Sequence, residues 1–336
     1  MADKTSYDRS IRNAVPRGGE RRVKAIRTIQ KKESTQRAYL KRYWQLYLML
    51  ALPLLYLLIF KYVPMAYVLI AFKKYSIVQS LWEMPWADKA GFQYFIQAFS
   101  NGDFQRALRN TVVLNVLDLL VGFPIPIIFA LILNEIPFKR VKKAVQTIVY
   151  MPHFLSWVII YGLALQLFAP STGLINMAIQ RLGGASVPFL NDSAHWVGTY
   201  VGLGVWQSFG WNSIVYLAAI AGIAPDLYEA ASVDGANRWQ KIWHITLPGI
   251  KSTIVILLIM SIGNIMGSYF DRPFALQNNL VKDWSNVLSI FVYERGIRGL
   301  QFSLTTAVGL FQSVVGVFFL LGANAISRKL GERGLW

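Results

Sequence analysis

A chain of 336 residues that is 54% hydrophobic and only 15% charged has more apolar surface than a soluble protein of that length needs for its core. The absence of cysteine excludes a disulfide framework and a thiolate metal site. The net charge of +17 does not indicate nucleic-acid binding, because the basic excess sits mainly on segments flanking apolar runs, where membrane topology accounts for it.

Residues 1–43 form a basic tail, too polar to hold a cleavable signal ahead of the first apolar run. Pro16 and Gly18-Gly19 suit a flexible start, and residues 21–36 suit a surface helix. Its Lys and Arg are expected to set topology. The alternative is docking on anionic lipid, at about 1 kcal/mol per basic residue near the surface.

A helix that crosses a bilayer takes about 20 apolar residues. Six such runs are expected, over 44–72, 111–133, 145–168, 196–223, 252–270 and 303–326. The expected fold class is therefore an all-α integral membrane protein with six transmembrane helices. The first run is longer than one crossing needs and is expected to project past the membrane, with Lys61 snorkelling at the outer boundary. Most Lys and Arg fall in 1–43, 134–144, 224–251 and 327–336. That bias places both termini, and the segment around Glu229, in the cytoplasm. The expected organisation is a cytoplasmic tail (1–43), a first transmembrane helix with its outer loop (44–110), a core transmembrane domain (111–326) holding a cytoplasmic elbow at 224–251, and a cytoplasmic end (327–336).

The first outer loop is rich in aromatic residues, among them Trp82, Trp86, Phe92 and Phe95. They suit an interfacial belt or a docking surface for an outside partner. The second run contains Asn115, Asp118 and Gly122-Phe123-Pro124-Ile125-Pro126. Each proline removes a helical hydrogen bond, which is tolerated where protein or water satisfies the freed carbonyls. An acid at bilayer centre costs about 2.5–3.5 kcal/mol, so Asp118 is expected to face the bundle. His153 in the third run is no metal ligand, since His195 and His244 are expected on opposite sides. Small-residue stripes at Gly198/Gly202, Gly263/Gly267 and Thr305/Gly309/Ser313 suit close helix packing, within the chain or against a second subunit. Tyr161, Trp206, Gln207, Trp211 and Asn212, with Asn264 and Tyr269 in the fifth run, set amide and aromatic groups at membrane depth. That composition is expected where a polar ligand crosses.

Between the fourth and fifth runs lies Pro225 to Pro248. Pro225 suits the first turn of a helix, and Asp226 and Glu229 suit its positive end. Gly235 is expected to break that helix. Asn237 is expected to cap a second one carrying Trp239, Ile242, Trp243 and Ile245. Pro248 is expected to stop it. The prediction is a helix–turn–helix elbow.

Glu229-Ala230-Ala231, Gly235 and Ile245, Leu247, Pro248, at these spacings, resemble the EAA loop of ABC importer permeases. Seven fixed positions arise by chance about once in 10^8 placements. Met151-Pro152, Gly173-Leu174-Ile175-Asn176, Leu227-Tyr228 and the end from Phe302-Ser303 to Arg328-Lys329 are similar to the maltose-type, polysaccharide/oligosaccharide branch. The resemblance covers about residues 45–336. It implies a type I importer of the bacterial plasma membrane. Its partners would be a second, usually different permease, an ATPase dimer and an extracytoplasmic solute-binding protein. Glu229, Ala230, Ala231, Asp234, Gly235, Ile245, Leu247 and Pro248 would then couple to the ATPase. ATP and Mg would be used by that partner, with no cofactor on this chain.

In agreement, the sequence has no G-x-x-x-x-G-K-[ST] phosphate loop, no H-E-x-x-H and no G-x-S-x-G. An enzyme is not expected. The alternatives left open are the same fold importing an amino acid, peptide or metal complex, and an ATP-independent channel or carrier. For a uronate oligomer, Arg272, Arg295 and Arg298 are candidate outer-side contacts.

Overall fold

The computed structural model describes Tyr39 and residues 42–267, 269–331 and 334–335. Expectations for the tail 1–43 fall outside these residues, apart from Tyr39, Arg42 and Tyr43. Among the described residues the only β pairing is an isolated bridge between Lys73 and Trp86; the rest is helix and turn. Helices Trp44–Phe72, Gly102–Asn134 and Phe302–Lys329 are each long and apolar enough to cross a membrane unbroken. Three further crossings are bent pairs, so the total reaches six if each pair is one span.

The described residues up to 67 and those from 68 onward form separate compact units. In the first, helix Trp44–Leu57 runs on through a π turn at Leu58–Tyr62 that carries Lys61, and neither buries a residue. A short helix at Val63–Ala66 also belongs to the first unit, and the elements from Gln93–Phe99 onward belong to the second.

The third expected span departs most from its prediction. Lys139–Phe154 and Trp157–Phe168 meet at 105°. The cause is local. Pro152 opens a 3-10 turn at Met151–Phe154, and Leu155 is extended. The Ser156 hydroxyl then caps a new helix by accepting from the Ile159 amide. Trp157–Phe168 has 12 residues, about 18 Å of helix, too short to cross alone.

The fifth span also ends early. Helix Lys251–Gly263 stops with Asn264 as its C-cap, rather than running to 270. Exposed carbonyls at such a break need partners where water is scarce. Asn115 Nδ2 donates to the Ile265 and Gly267 carbonyls at 2.8 and 2.7 Å, and Gln312 Nε2 donates to that of Met266 at 3.1 Å.

The helix of the fourth crossing, Ser193–Ala221, runs for 29 residues and buries eight of them. Asp192 caps it by accepting from the Ala194 and His195 amides, and the His195 ring beside that carboxylate is the main cause holding its pKa below the usual value. Trp196 is fully buried, and its indole N–H donates to the Leu276 carbonyl at 2.9 Å. Trp196, Leu114, Val281 and Ile290 belong to one buried apolar cluster, and Phe104, Phe291, Leu304 and Val308 to another.

The Gly173-Leu174-Ile175-Asn176 turn also has a physical reason. A side chain at Gly173 would strike the Ala169 backbone. Asn176, fully buried, ties Phe168, Ala169 and Val187 together through four hydrogen bonds of 2.8–3.3 Å.

Candidate functional site: the elbow and the crossing helices

The elbow folds as a helix–turn–helix, as the residue pattern predicts, except that Pro248 does not stop the second arm, which runs on to Gly249 and bends at Ile250. Pro225 opens helix Pro225–Val233, which leaves Ser193–Ala221 at 70°. Asp234 is its C-cap, and Gly235 follows at φ +77°, the left-handed region where a side chain is strained. The Ala236 amide closes the turn on the Ala231 carbonyl at 2.8 Å. Asn237 and Gln240 then form a reciprocal capping box, with hydrogen bonds of 2.9 and 2.7 Å, and open the second arm Arg238–Gly249. That arm meets Lys251–Gly263 at 58°.

Side chains lock the arms together. Lys241 Nζ donates to Ser232 Oγ at 2.8 Å, and Ser232 Oγ donates on to the Tyr228 carbonyl. The Tyr228 and Thr246 hydroxyls lie 3.0 Å apart. At the base, Ile250 is fully buried against Tyr216 and Ile220. Gly249 there lies so close to Ile223 that a Cβ would sit 2.6 Å from its side chain. The elbow is thus a stiff lever with its two ends fastened side by side. A cleft of about 320 Å³ opens between the arms, lined by Ala231, Asp234, Gly235, Gln240, Lys241 and His244. Glu229 and Ala230 stay exposed, as does Pro248, whereas Ile245 and Leu247 are half-buried.

The crossing residues separate into two groups. Trp211 stacks on His153, with ring centres 4.5 Å apart and planes within 4°. Phe154 meets the same indole edge-on. Gln207 Nε2 reaches toward the His153 carbonyl at 3.5 Å. Trp206 and Asn212 are exposed, and Tyr161 packs beside the Trp196 cluster. Asn264 and Tyr269 sit at the break of the fifth span and are exposed. Among the described residues no hydrogen bond or ring contact joins that pair to the Trp211 group. The part His153 plays was missed, because a lone histidine was weighed only as a metal ligand.

A buried ion pair corrects the reading of Arg272 as an outer-side cation. Arg272 is 6% exposed and forks onto Asp118, Nη1 to Oδ2 at 2.7 Å and Nη2 to Oδ1 at 3.0 Å. It also donates to the Tyr200 carbonyl and lies 3.6 Å from the Tyr200 ring centre and 5.4 Å from that of Trp157. Asp118 faces the bundle, as its cost in lipid requires. Gly204 makes room for the pair, because a Cβ there would strike the guanidinium. Arg295 is paired too, with Asp103 at 3.0 Å, and Arg298 lies over the Tyr293 ring.

These features define a multi-span helical membrane protein with a rigid helix–turn–helix lever between two crossings. Residues 104–331 match the family described as binding-protein-dependent transport system inner membrane component. The chain belongs to that family. It is 44% identical over 299 residues to protein LplB of Bacillus subtilis (strain 168), covering 89% of this chain and 93% of that protein. It is 41% identical over 310 residues to the polygalacturonan/rhamnogalacturonan transport system permease protein YteP of the same organism, covering 92% and 96%. Among solved structures, a chain of a bacterial ABC transporter involved in the import of the acidic polysaccharide alginate superposes with a TM-score of 0.78 at 41% identity. That match covers 86% of this chain and 97% of the other.

Proposed function

We propose that this chain is one of two permease subunits of an ABC importer that carries an oligosaccharide across the bacterial plasma membrane, both of its termini being cytoplasmic. Its companions are a second, homologous permease, an ATPase dimer that uses ATP and Mg, and an extracytoplasmic solute-binding protein. The chain has no ATP site of its own and no enzymatic step. The observation that carries this reading is the elbow. The Glu229-Ala230-Ala231 to Pro248 pattern folds into a stiff, exposed lever fastened at the base of the fourth and fifth crossings.

In this account Glu229, Ala230, Ala231, Asp234 and Gly235 enter a groove of one ATPase, and Ile245, Leu247 and Pro248 hold the lever's return arm. Closure of the ATPase dimer on ATP draws the two levers together and moves the crossings. Swinging such an equilibrium from 1:99 to 99:1 takes about 5.5 kcal/mol of difference between the states. Nucleotide and the loaded binding protein together supply it. Tyr161, Trp206, Gln207, Trp211, Asn212, Asn264 and Tyr269 are the residues we assign to the pathway. Trp211, stacked and held by His153, offers the flat apolar face that a sugar ring packs against.

Relatives named for polygalacturonan/rhamnogalacturonan transport and for alginate import support an acidic oligosaccharide as the cargo. The ligand eluted from the cognate binding protein and identified by mass spectrometry tests this. An oligosaccharide with uronate units is expected; an amino acid, a peptide or a metal complex would overturn the sugar assignment.

A further inference from the structure

The two arms of the elbow differ in charge and in what they expose. Residues 225–235 contain Asp226, Glu229 and Asp234 and no Lys or Arg. Residues 238–251 contain Arg238, Lys241 and Lys251 and no acid. Only the second arm carries tryptophan. Trp239 and Trp243, four residues apart and so on one helical face, are 71% and 62% exposed. The opposite side of that arm is used within the elbow, where Lys241 and Thr246 bond to Ser232 and Tyr228. Two bare indoles on an arm that carries no acid need an explanation that an ordinary solvated arm does not give.

We propose that Trp239 and Trp243 seat the second arm in the headgroup layer of the adjoining bilayer leaflet, so that the lever pivots on anionic lipid. Distance supports this. From Trp243 to Lys251, where the fifth crossing begins, a helix rises about 12 Å, and from Trp239 about 18 Å. With the crossing along the bilayer normal, the 58° bend turns roughly half of each length into depth. Trp243 then lies about 6 Å and Trp239 about 10 Å below the hydrocarbon boundary. A headgroup layer is about 5–8 Å thick. Trp243 therefore falls inside the layer, the depth at which tryptophan concentrates in membrane proteins, and Trp239 lies just past its aqueous edge, within reach of it through the indole. Arg238 and Lys251 match the negative surface of that leaflet, Lys241 being bonded to Ser232 inside the elbow. The acidic first arm is repelled by the same surface and points away from it, which leaves it for the ATPase. The lipid seat rests on the elbow being the cytoplasmic coupling element, and its test separates the two claims.

Because the chain has no cysteine, Trp239→Cys, Trp243→Cys and Val233→Cys can each carry one nitroxide. The assembled transporter is placed in nanodiscs containing phosphatidylglycerol, and collisions with oxygen and with a water-soluble nickel chelate are measured before and after the ATPase is stripped. The label at 243 is expected to keep less nickel access than the stripped Val233 label, and the label at 239 to show a smaller reduction, each with or without the ATPase. Nickel access equal to that of the stripped Val233 label overturns the proposal. Shielding that disappears with the ATPase, or shielding from both reagents, also overturns it, because protein rather than lipid then covers the arm. The Val233 label reports the coupling assignment separately, since only that label should be shielded by the ATPase. Should labelled chains fail to assemble, quenching by lipid carrying a nitroxide on its headgroup is compared in wild type and Trp243→Phe. Greater quenching of the wild type is expected, and equal quenching overturns the seat.

Discussion

Asp118→Ala should destabilise the folded chain by about 3–5 kcal/mol, because it leaves a buried guanidinium with no counter-charge. Arg272 is 6% exposed, and both of its terminal nitrogens are committed to the Asp118 carboxylate. Asp118 itself retains some exposure, 25% of its side chain, which places the effect toward the lower end of that range. The Tyr200 ring and carbonyl stay in place and soften the loss without replacing a full negative charge. The check is the fraction of protein that remains monodisperse in detergent after a heating series. Asp118→Ala should aggregate well below the wild-type temperature. The double variant Asp118→Leu/Arg272→Met should recover most of the loss, because replacing both charges by apolar groups of similar volume is often neutral. Gly204→Val should resemble Asp118→Ala, since its methyls would occupy the space of the guanidinium. A wild-type melting curve for Asp118→Ala would show that the pair does not hold these crossings together.

Gly235→Trp should abolish ATP-driven transport while leaving the protein in the membrane at close to normal amounts. No neighbouring atom lies within 4 Å of a Cβ at this position, so nothing inside the chain resists the new side chain. The cost within the chain is backbone strain from φ +77°, about 1–2 kcal/mol. The indole would instead fill the space that a partner's groove must enter. Losing about 3 kcal/mol of contact there weakens docking roughly 100-fold. Gly235→Ala carries the strain without the bulk and should transport at an intermediate rate. Glu229→Ala should be milder than Gly235→Trp. Co-purification of the ATPase and solute-stimulated ATP hydrolysis are the readouts. Intact stimulation in Gly235→Trp would remove the elbow from the coupling path.

The elbow was legible because its signals are local. Pro225, Gly235 and Asn237 act within four residues of themselves, and each does in the structure what its backbone chemistry requires. The breaks in the third and fifth spans were not read, because an apolar run looks continuous when hydropathy is averaged over it. Pro152 and Ser156, which open the 3-10 turn and cap the next helix, are single residues that weigh little in such an average. The carbonyls freed after Gly263 are satisfied by Asn115 and Gln312 from other helices, and that pairing has no local trace.

Arg272 and Asp118 were each noticed, yet 154 positions separate them, and nothing in their surroundings names the partner. Glycine spacing alone does not show which glycines pack within the chain. Gly198 and Gly202 follow the expected four-residue stripe, but side chains there would meet nothing within the chain. Gly204, off the stripe, is the one pressed against Arg272, whereas Gly210 is held by the Val149 backbone. Spacing identifies a face, and only the neighbours across it decide which glycine is indispensable.

The account depends on a lever driven from outside this polypeptide. The direct test is uptake of labelled oligosaccharide into proteoliposomes that contain the permease pair, with loaded binding protein outside and ATP and Mg inside, measured with the ATPase dimer present and omitted. Saturable accumulation with the dimer, and none without it, is the predicted result. Uptake at a similar rate with the dimer omitted would contradict it and make the chain a carrier or channel.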